Sequence, residues 1–295
     1  RPYAPNPPPI KNTMEVSFVK ITCDLHAHTH LSVCGQDSAT IARYVETASG
    51  FGLTAVGIAD HMWDAAIPLT PEMRISQSAG PDGNCVIDWY KLQNVEHCRE
   101  ILAEIARTDT KGVRFLFGGE VDYAKGRGAA ITEENAQKLD FMIVPNSHTH
   151  HLMDKRWETE PQKHADFMLQ ATLEICTGPV SRYVTSLAHP FDAVCCPIPL
   201  WRIVEKITDS QLGEVFGAAR ERGIAAEING SCFGGMCAEE IRQSAMYRIL
   251  CAARDAGCKF TFGSDSHTGD GRESLRQAAL AAELMGLTEE DIRQI

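Results

Sequence analysis

Histidine, glutamate and aspartate recur in this 295-residue sequence at the ends of short apolar runs. Asp24-Leu25-His26-Ala27-His28 closes the first run, Val56-Gly57-Ile58 leads to Asp60 and His61, and Phe115–Gly119 leads to Glu120. Phe141–Val144 precedes His148, Leu187-Ala188 precedes His189, and Phe260–Phe262 precedes Asp265 and His267. Mixed imidazole and carboxylate ligands suit zinc, manganese or iron, whereas calcium and magnesium prefer oxygen. Residues two apart on a strand face the same way, so His26 with His28, and Asp265 with His267, can each grip one ion together. A carboxylate shared by two ions holds them roughly 3.5–4 Å apart, the spacing used for in-line displacement at phosphorus. A water bridging such ions loses its proton near neutral pH and becomes the nucleophile, so no serine or cysteine is required. The leaving oxygen then needs a proton or a metal contact, for which Asp265, His150 and His267 are the candidates.

Apolar runs that each deliver a ligand at one end imply strands that share a rim. Strand-like runs end at Asp24 and cover Leu53–Ala59, Arg114–Val121, Asp140–Val144, Tyr183–Ala188, Ile224–Ile228 and Lys259–Gly263. Between them the pattern predicts helices at Ala39–Phe51 (closed by Gly52), Ile87–Thr108, Pro161–Cys176, Asp209–Arg222 (closed by Gly223), Ala238–Ala256 and Arg272–Met285. Thr132 followed by Glu133 and Glu134 opens a further short helix, with an N-cap and early acids. About seven strand–helix repeats mean a mostly parallel sheet wrapped by helices. An open doubly wound sheet would gather ligands near one switch point, but here most strands deliver one. A closed or nearly closed α/β barrel with its site at one rim explains the pattern better. Residues 1–13 hold five prolines and read as an extended tail, leaving 14–295 as one barrel domain. The stretch 62–86 contains Pro68, Pro71, Gly80, Pro81 and Gly83 without periodicity and reads as a long loop of functional kind.

The formal net charge of -11 argues against nucleic acid or an anionic membrane as a bulk electrostatic partner. No apolar run approaches the roughly 18 residues of a membrane span. Eleven cysteines without regular spacing do not suggest a disulfide framework, and a reducing, cytoplasmic setting is expected.

Taken together, Asp24-Leu25-His26-Ala27-His28-Thr29, Ala59-Asp60-His61, Gly119-Glu120, Ser147-His148, Ala188-His189-Pro190 and Gly263-Ser264-Asp265-Ser266-His267 resemble the motifs of the PHP (polymerase and histidinol phosphatase) superfamily, in that family's order. Amidohydrolases also begin with HxH, but they commonly use a carbamylated lysine on a barrel strand, and no lysine here ends a strand beside these motifs. The resemblance implies a distorted (β/α)7 TIM-like barrel that holds two or three divalent ions, zinc, manganese or iron. It implies that His26, His28, Glu120 and Asp265 hold the first ion, and that Glu120 bridges to a second, completed by His148 and His189. It places His61 and His267 at a third, with a ligand from the loop after the first strand. In that loop family members often carry His or Asp, whereas this chain has Cys34, with Asp37 just beyond, and either is a candidate ligand. Asp24 and Asp60 are expected to orient imidazoles from behind.

Phosphate calls for Arg or Lys at the mouth of the site. Lys125 and Arg127, in the Gly-containing loop after Glu120, are best sited, followed by Arg182 before the fifth strand and Arg272 after the His267 turn. Asn229, which ends the sixth strand two residues after Glu227, is expected at the same rim by position alone; for all five, a surface or turn role is the plain alternative. His30, His97, His151 and His164 read as structural or surface residues. The expected function is metal-dependent hydrolysis of a small phosphorylated metabolite by a phosphomonoesterase of histidinol-phosphatase type. A phosphodiesterase acting on a nucleotide or cyclic phosphate is the alternative, and a non-catalytic metal-binding module is the rival of another class.

Overall fold

In a computed structural model of the protein, residues 19–63, 92–153 and 155–295 are described. The expected tail at 1–13, and the loop at 62–86 beyond Trp63, lie outside them. Seven strands run β1 (Cys23–Ala27), β2 (Ala55–Ile58), β3 (Arg114–Glu120), β4 (Phe141–Pro145), β5 (Ser186–Ala188), β6 (Ala225–Asn229) and β7 (Phe260–Gly263). They pair in that order and every ladder is parallel. Helices fill the connections, as parallel neighbours require. The result is a nearly closed α/β barrel of the TIM type, as the alternation predicted.

The barrel is distorted in two places. β3 pairs with β2 through Arg114–Phe117 and then with β4 from Gly118 onward. Its interior is narrow, built from Leu25, Ala59, Leu116, Phe141, Ile143 and Ala188. Phe141 fits only because Gly57 and Gly118 lack side chains: a Cβ on Gly118 would stand 2.3 Å from the Phe141 ring, and one on Gly57 2.7 Å. The second irregularity is the seam between β1 and β7, which carries no continuous ladder. It is fastened at the upper end by the bridge between Ala27 and Ser266, by His28 N–H to Ser266 O (2.9 Å) and by Asp265 N–H to His26 O (2.8 Å). The buried Tyr44 hydroxyl lies 2.7 Å from the carbonyls of both His28 and Ser266.

A larger apolar layer, including Ile41, Tyr44, Leu212, Phe216 and Ile249, packs the helices onto the outside of the strands. The helix Ile41–Phe51 begins at Thr40, whose side chain accepts from Arg43 N–H, and ends at Gly52 with φ 87°. Asp209–Arg222 starts in a capping box between Thr208 and Gln211 and stops at Gly223. These ends match the sequence signals. The helix predicted over Ala238–Ala256 is instead two, Ala238–Gln243 and Ala245–Asp255, because Ser244 turns out of the first and caps the second by accepting from Tyr247 N–H. The described part of the predicted helix 87–108 is likewise divided, into Val95–Cys98 and Glu100–Arg107. Tyr183 belongs to a short 3-10 turn before β5, and the turn of helix at Leu200–Val204 had no sequence signal.

Candidate metal centre

All the strands point the same way, so the residues that follow their carboxy-terminal ends meet at one rim. Glu120, the last residue of β3 and 1% exposed, stands at the centre. Its Oε1 lies 2.9 Å from His189 Nε2 and 3.4 Å from His148 Nε2. Its Oε2 lies 3.4 Å from His61 Nδ1 and 3.5 Å from Nε2 of both His26 and His28. The β2 extension puts His61 there by bridging directly to Glu120. Asp265 Oδ1 is 3.4 Å from the same two Nε2 atoms of His26 and His28, which are themselves 3.1 Å apart.

Three groups of ligand atoms lie mutually within 4.8 Å: His26, His28 and Asp265; His26, Glu120 and His189; and His28, Cys34 and His61. The imidazole nitrogens and carboxylate oxygens crowd together, and His61 Nδ1 is buried without a hydrogen-bond partner. A cation satisfies such a set better than protons can. The nitrogen, oxygen and sulfur donors fit a transition metal or zinc. The backbone carries strain at this rim, since His189 (φ 26°) and Asp265 (φ 53°) both sit at positive φ.

The electrostatics are tightly coupled. Burial alone would raise the Glu120 carboxyl, but His61, His148, His26 and His189 around it hold it well below the usual range. Asp265 is lowered in the same way against burial, chiefly by His26 and His28. Burial opposes charge on His26, yet Glu227, Asp265 and Glu120 hold its imidazole well above the ordinary value. Burial lowers His28, and pushes His61 down to about 4. Burial opposes charge on His189, yet Glu120 and Asp265 together raise it to about 9. Burial pushes the Cys34 thiol up to about 12.

Behind these atoms a second set of contacts fixes the rings. Glu227 on β6 accepts through Oε1 from His26 Nδ1 (2.8 Å), and its Oε2 accepts from His189 N–H (2.6 Å) and Asn229 Nδ2 (3.3 Å). Ser147 Oγ holds His189 Nδ1 at 2.7 Å, and Asp122 Oδ1 is 3.4 Å from His148 Nδ1. Such partners select the tautomer and leave Nε2 facing the cleft. Asp24 and Asp60, expected in this role, hold backbone instead. Asp24 Oδ1 accepts from the amides of His26 (3.2 Å) and Ser264 (2.9 Å), while Asp60 takes both the amide and the hydroxyl of Thr29 at 2.6 Å.

The remaining candidates are placed as follows. His267 stacks on His28 with ring centroids 4.6 Å apart, gives its Nδ1 to Asp265 O at 2.8 Å and lines the cleft, but falls outside the three ligand groups. His150 also lines the cleft, though from the short helix Thr149–Leu152, because the strand has already ended at Pro145. Asp37 is exposed and joins no group. Asn229 binds Asp265 Oδ2 (3.2 Å) and Glu227, so its contacts are to carboxylates of the site. Lys125 and Arg127 are exposed and do not line the cleft, since their loop is drawn back over the helix Pro161–Thr177 by Gly126 N–H donating to Glu174 (2.6 Å). Arg182 precedes β5 and so lies at the opposite rim, paired with Glu133. Arg272 folds onto Asp270, with Nε to Oδ1 at 2.8 Å. Among the described lining residues there is no lysine or arginine. Glu227 and Asp122 escaped the sequence reading of roles, although each lies two residues from a residue it singled out, Asn229 and Glu120.

A parallel barrel with imidazoles and carboxylates gathered at its carboxy-terminal rim defines a metallohydrolase type of architecture. The chain belongs to the PHP domain family, which it matches over residues 24–267, and is a hydrolase of the phosphoesterase class. The structure is similar to that of a histidinol phosphate phosphatase from Lactococcus lactis complexed with zinc, L-histidinol and phosphate. That similarity has a TM-score of 0.58 at 15% identity and covers 88% of this chain and 93% of that one. It is also similar to a protein from Listeria monocytogenes described as a candidate histidinol phosphatase, with a TM-score of 0.55 at 13% identity, covering 83% and 95%. No curated protein sequence matches significantly. Among the described residues, no helix is long and apolar enough to cross a membrane, and every described cysteine is free.

Proposed function

We propose that the protein is a metal-dependent phosphomonoesterase that hydrolyses a small phosphorylated metabolite in this cleft. The observation that carries the reading is the division of Glu120: one oxygen faces His148 and His189, the other faces His26, His28 and His61. In this reading His26, His28, Glu120 and Asp265 hold one ion, and Glu120, His148 and His189 hold a second. Bound ions would supply Lewis-acid polarisation of the phosphoryl oxygens and lower the pKa of water toward neutrality.

The chain's own residues do the rest. Glu120 fixes the spacing between the two sets, and Glu227, Ser147 and Asp122 keep each Nε2 turned inward. His267 spends its Nδ1 on the Asp265 carbonyl, which leaves Nε2 as the atom that carries a proton to the leaving oxygen. The cleft of about 320 Å³ suits a small metabolite. The imidazoles that line it, His61, His148, His150, His189 and His267 among them, and bound ions would meet phosphate charge there. The Lactococcus lactis neighbour, complexed with L-histidinol and phosphate, supports a substrate of histidinol phosphate type.

The test is to load the protein with manganese or zinc and assay a panel of phosphomonoesters, histidinol phosphate included, beside nucleotide and cyclic phosphodiesters. Phosphate release from a monoester is the expected outcome. Metal retention without release from any member would favour a non-catalytic metal-binding module, and selective cleavage of diesters would reassign the substrate class.

A further inference from the structure

The loop that leaves β1 carries the one residue of the cluster whose chemistry differs from the rest. It is tightly wound: Ser32 N–H donates to Thr29 O (2.9 Å), Gly35 N–H to Ser32 O (3.0 Å) and Gln36 N–H to His267 O (2.9 Å). Gly35 is pressed against the start of the loop, where a Cβ would stand 1.8 Å from Thr29 O. Ser32 Oγ is 3.2 Å from Cys34 Sγ and 3.4 Å from His28 Nδ1, and it accepts from His61 N–H at 3.3 Å. The winding turns Cys34 into the cleft and leaves Asp37, three residues on, exposed.

The Cys34 sulfur and one imidazole nitrogen each from His28 and His61 lie within 4.8 Å of one another. Tetrahedral zinc, with bonds of about 2.3 Å to sulfur and about 2.0–2.1 Å to nitrogen, has ligand–ligand edges of roughly 3.3–3.6 Å. With 4.8 Å as the outer limit of their separations, the atoms need to draw in by at most roughly 1.5 Å to reach such edges, a shift of the size that side-chain rotation supplies.

We propose that Cys34, with His61, makes this corner a sulfur-ligated metal position, bordered by His28, whose Nε2 faces the first ion's carboxylates, and chemically distinct from the carboxylate-bearing groups around Glu120 and Asp265. This rests on the reading that the cleft holds divalent ions. Thiolate is a soft ligand, so this corner takes zinc, cobalt or iron in preference to manganese or magnesium, while the carboxylate groups accept the harder ions. On coordination the thiol proton passes to solvent, so uptake at this corner releases a proton.

The experiment uses the full chain, stripped of metal and reloaded with cobalt(II), and reads the absorption spectrum together with metal content. A near-ultraviolet sulfur-to-cobalt charge-transfer band is expected in the wild type, lost in Cys34→Ser and kept in Cys195→Ser, the other thiol lining the cleft. Loss of one cobalt per chain should accompany loss of the band. A cobalt-loaded wild type without the band, or a band that survives in Cys34→Ser, overturns the sulfur ligand and leaves the metal reading intact. Failure to take up any cobalt overturns both. A second measurement avoids mutation: cobalt or zinc should shield Cys34, and not Cys195, from alkylation mapped by mass spectrometry. Equal alkylation of Cys34 with and without metal counts against the proposal.

Discussion

Replacing Glu227 by glutamine removes one charge and almost no volume, which isolates the role of this buried carboxylate. Glu227 is 1% exposed and accepts three hydrogen bonds, from His26 Nδ1 at 2.8 Å, His189 N–H at 2.6 Å and Asn229 Nδ2 at 3.3 Å. A glutamine has only one acceptor oxygen. If that oxygen faces His26, the amide NH₂ meets His189 N–H, and two donors confront each other at a cost of about 1–3 kcal/mol. If it faces His189, the NH₂ donates to His26 Nδ1 and forces the proton onto Nε2, the atom that faces Glu120 and Asp265. Either arrangement disables a ligand without touching it. The expected result is a 10- to 100-fold loss of metal affinity or kcat/KM, equivalent to about 1.4–2.8 kcal/mol. Competitive metal titration and steady-state kinetics read the loss, and thermal unfolding of the metal-stripped protein reads the donor–donor cost. Wild-type metal affinity and activity in Glu227→Gln would refute the tautomer argument.

Three other changes probe different parts of the molecule. Glu120→Ala should lose bound metal and hydrolysis together, as elemental analysis and phosphate release would show; full activity in this variant removes the site assignment. Burial pushes the Cys258 thiol up to about 11 from 9.0. The unfolded chain then releases this proton before the folded one, so the contribution is complete below pH 9 and fades as pH rises from about 9 to 11. Two pH units at about 1.4 kcal/mol each set an upper size of roughly 3 kcal/mol. Cys258→Ser should therefore flatten the fall of chemical stability across that window, and an unchanged slope would contradict it. Gly35→Ala forces a Cβ against Thr29 O, so urea unfolding should show a loss of about 1–3 kcal/mol, whereas no loss would mean that the loop relaxes freely.

The fold and the gathering of His, Glu and Asp side chains at one rim were legible because both obey a repeating rule. Parallel strands end at one rim, so a run of apolar residues finishing in His, Asp or Glu names both the strand and its contribution. What was illegible depended on contacts between distant segments. Glu227 reaches His26 across 201 positions, and nothing local separates it from an ordinary strand residue. Lys125 and Arg127 follow Glu120 closely, but Glu174 on a later helix decides where their loop lies. Arg182 was legible in principle, since a residue before a strand belongs to the amino-terminal rim, away from the site. Ser244 was ambiguous in the sequence because serine is tolerated inside a helix and favoured as a cap, and the apolar period runs through both helices.

The seam between β1 and β7 gives the cluster a part in topology. The first and last strands meet through a few contacts at their upper ends, where the Asp24 carboxylate receives Ser264 N–H across 240 positions of chain. His26 and His28 stand on one lip of this gap and Asp265 on the other. In the proposed reading, an ion gripped by all three would act as a clasp on a ring that the backbone leaves ajar. Chelation would then loosen the two ends of the chain before its middle, with amide exchange quickening first along β1 and β7.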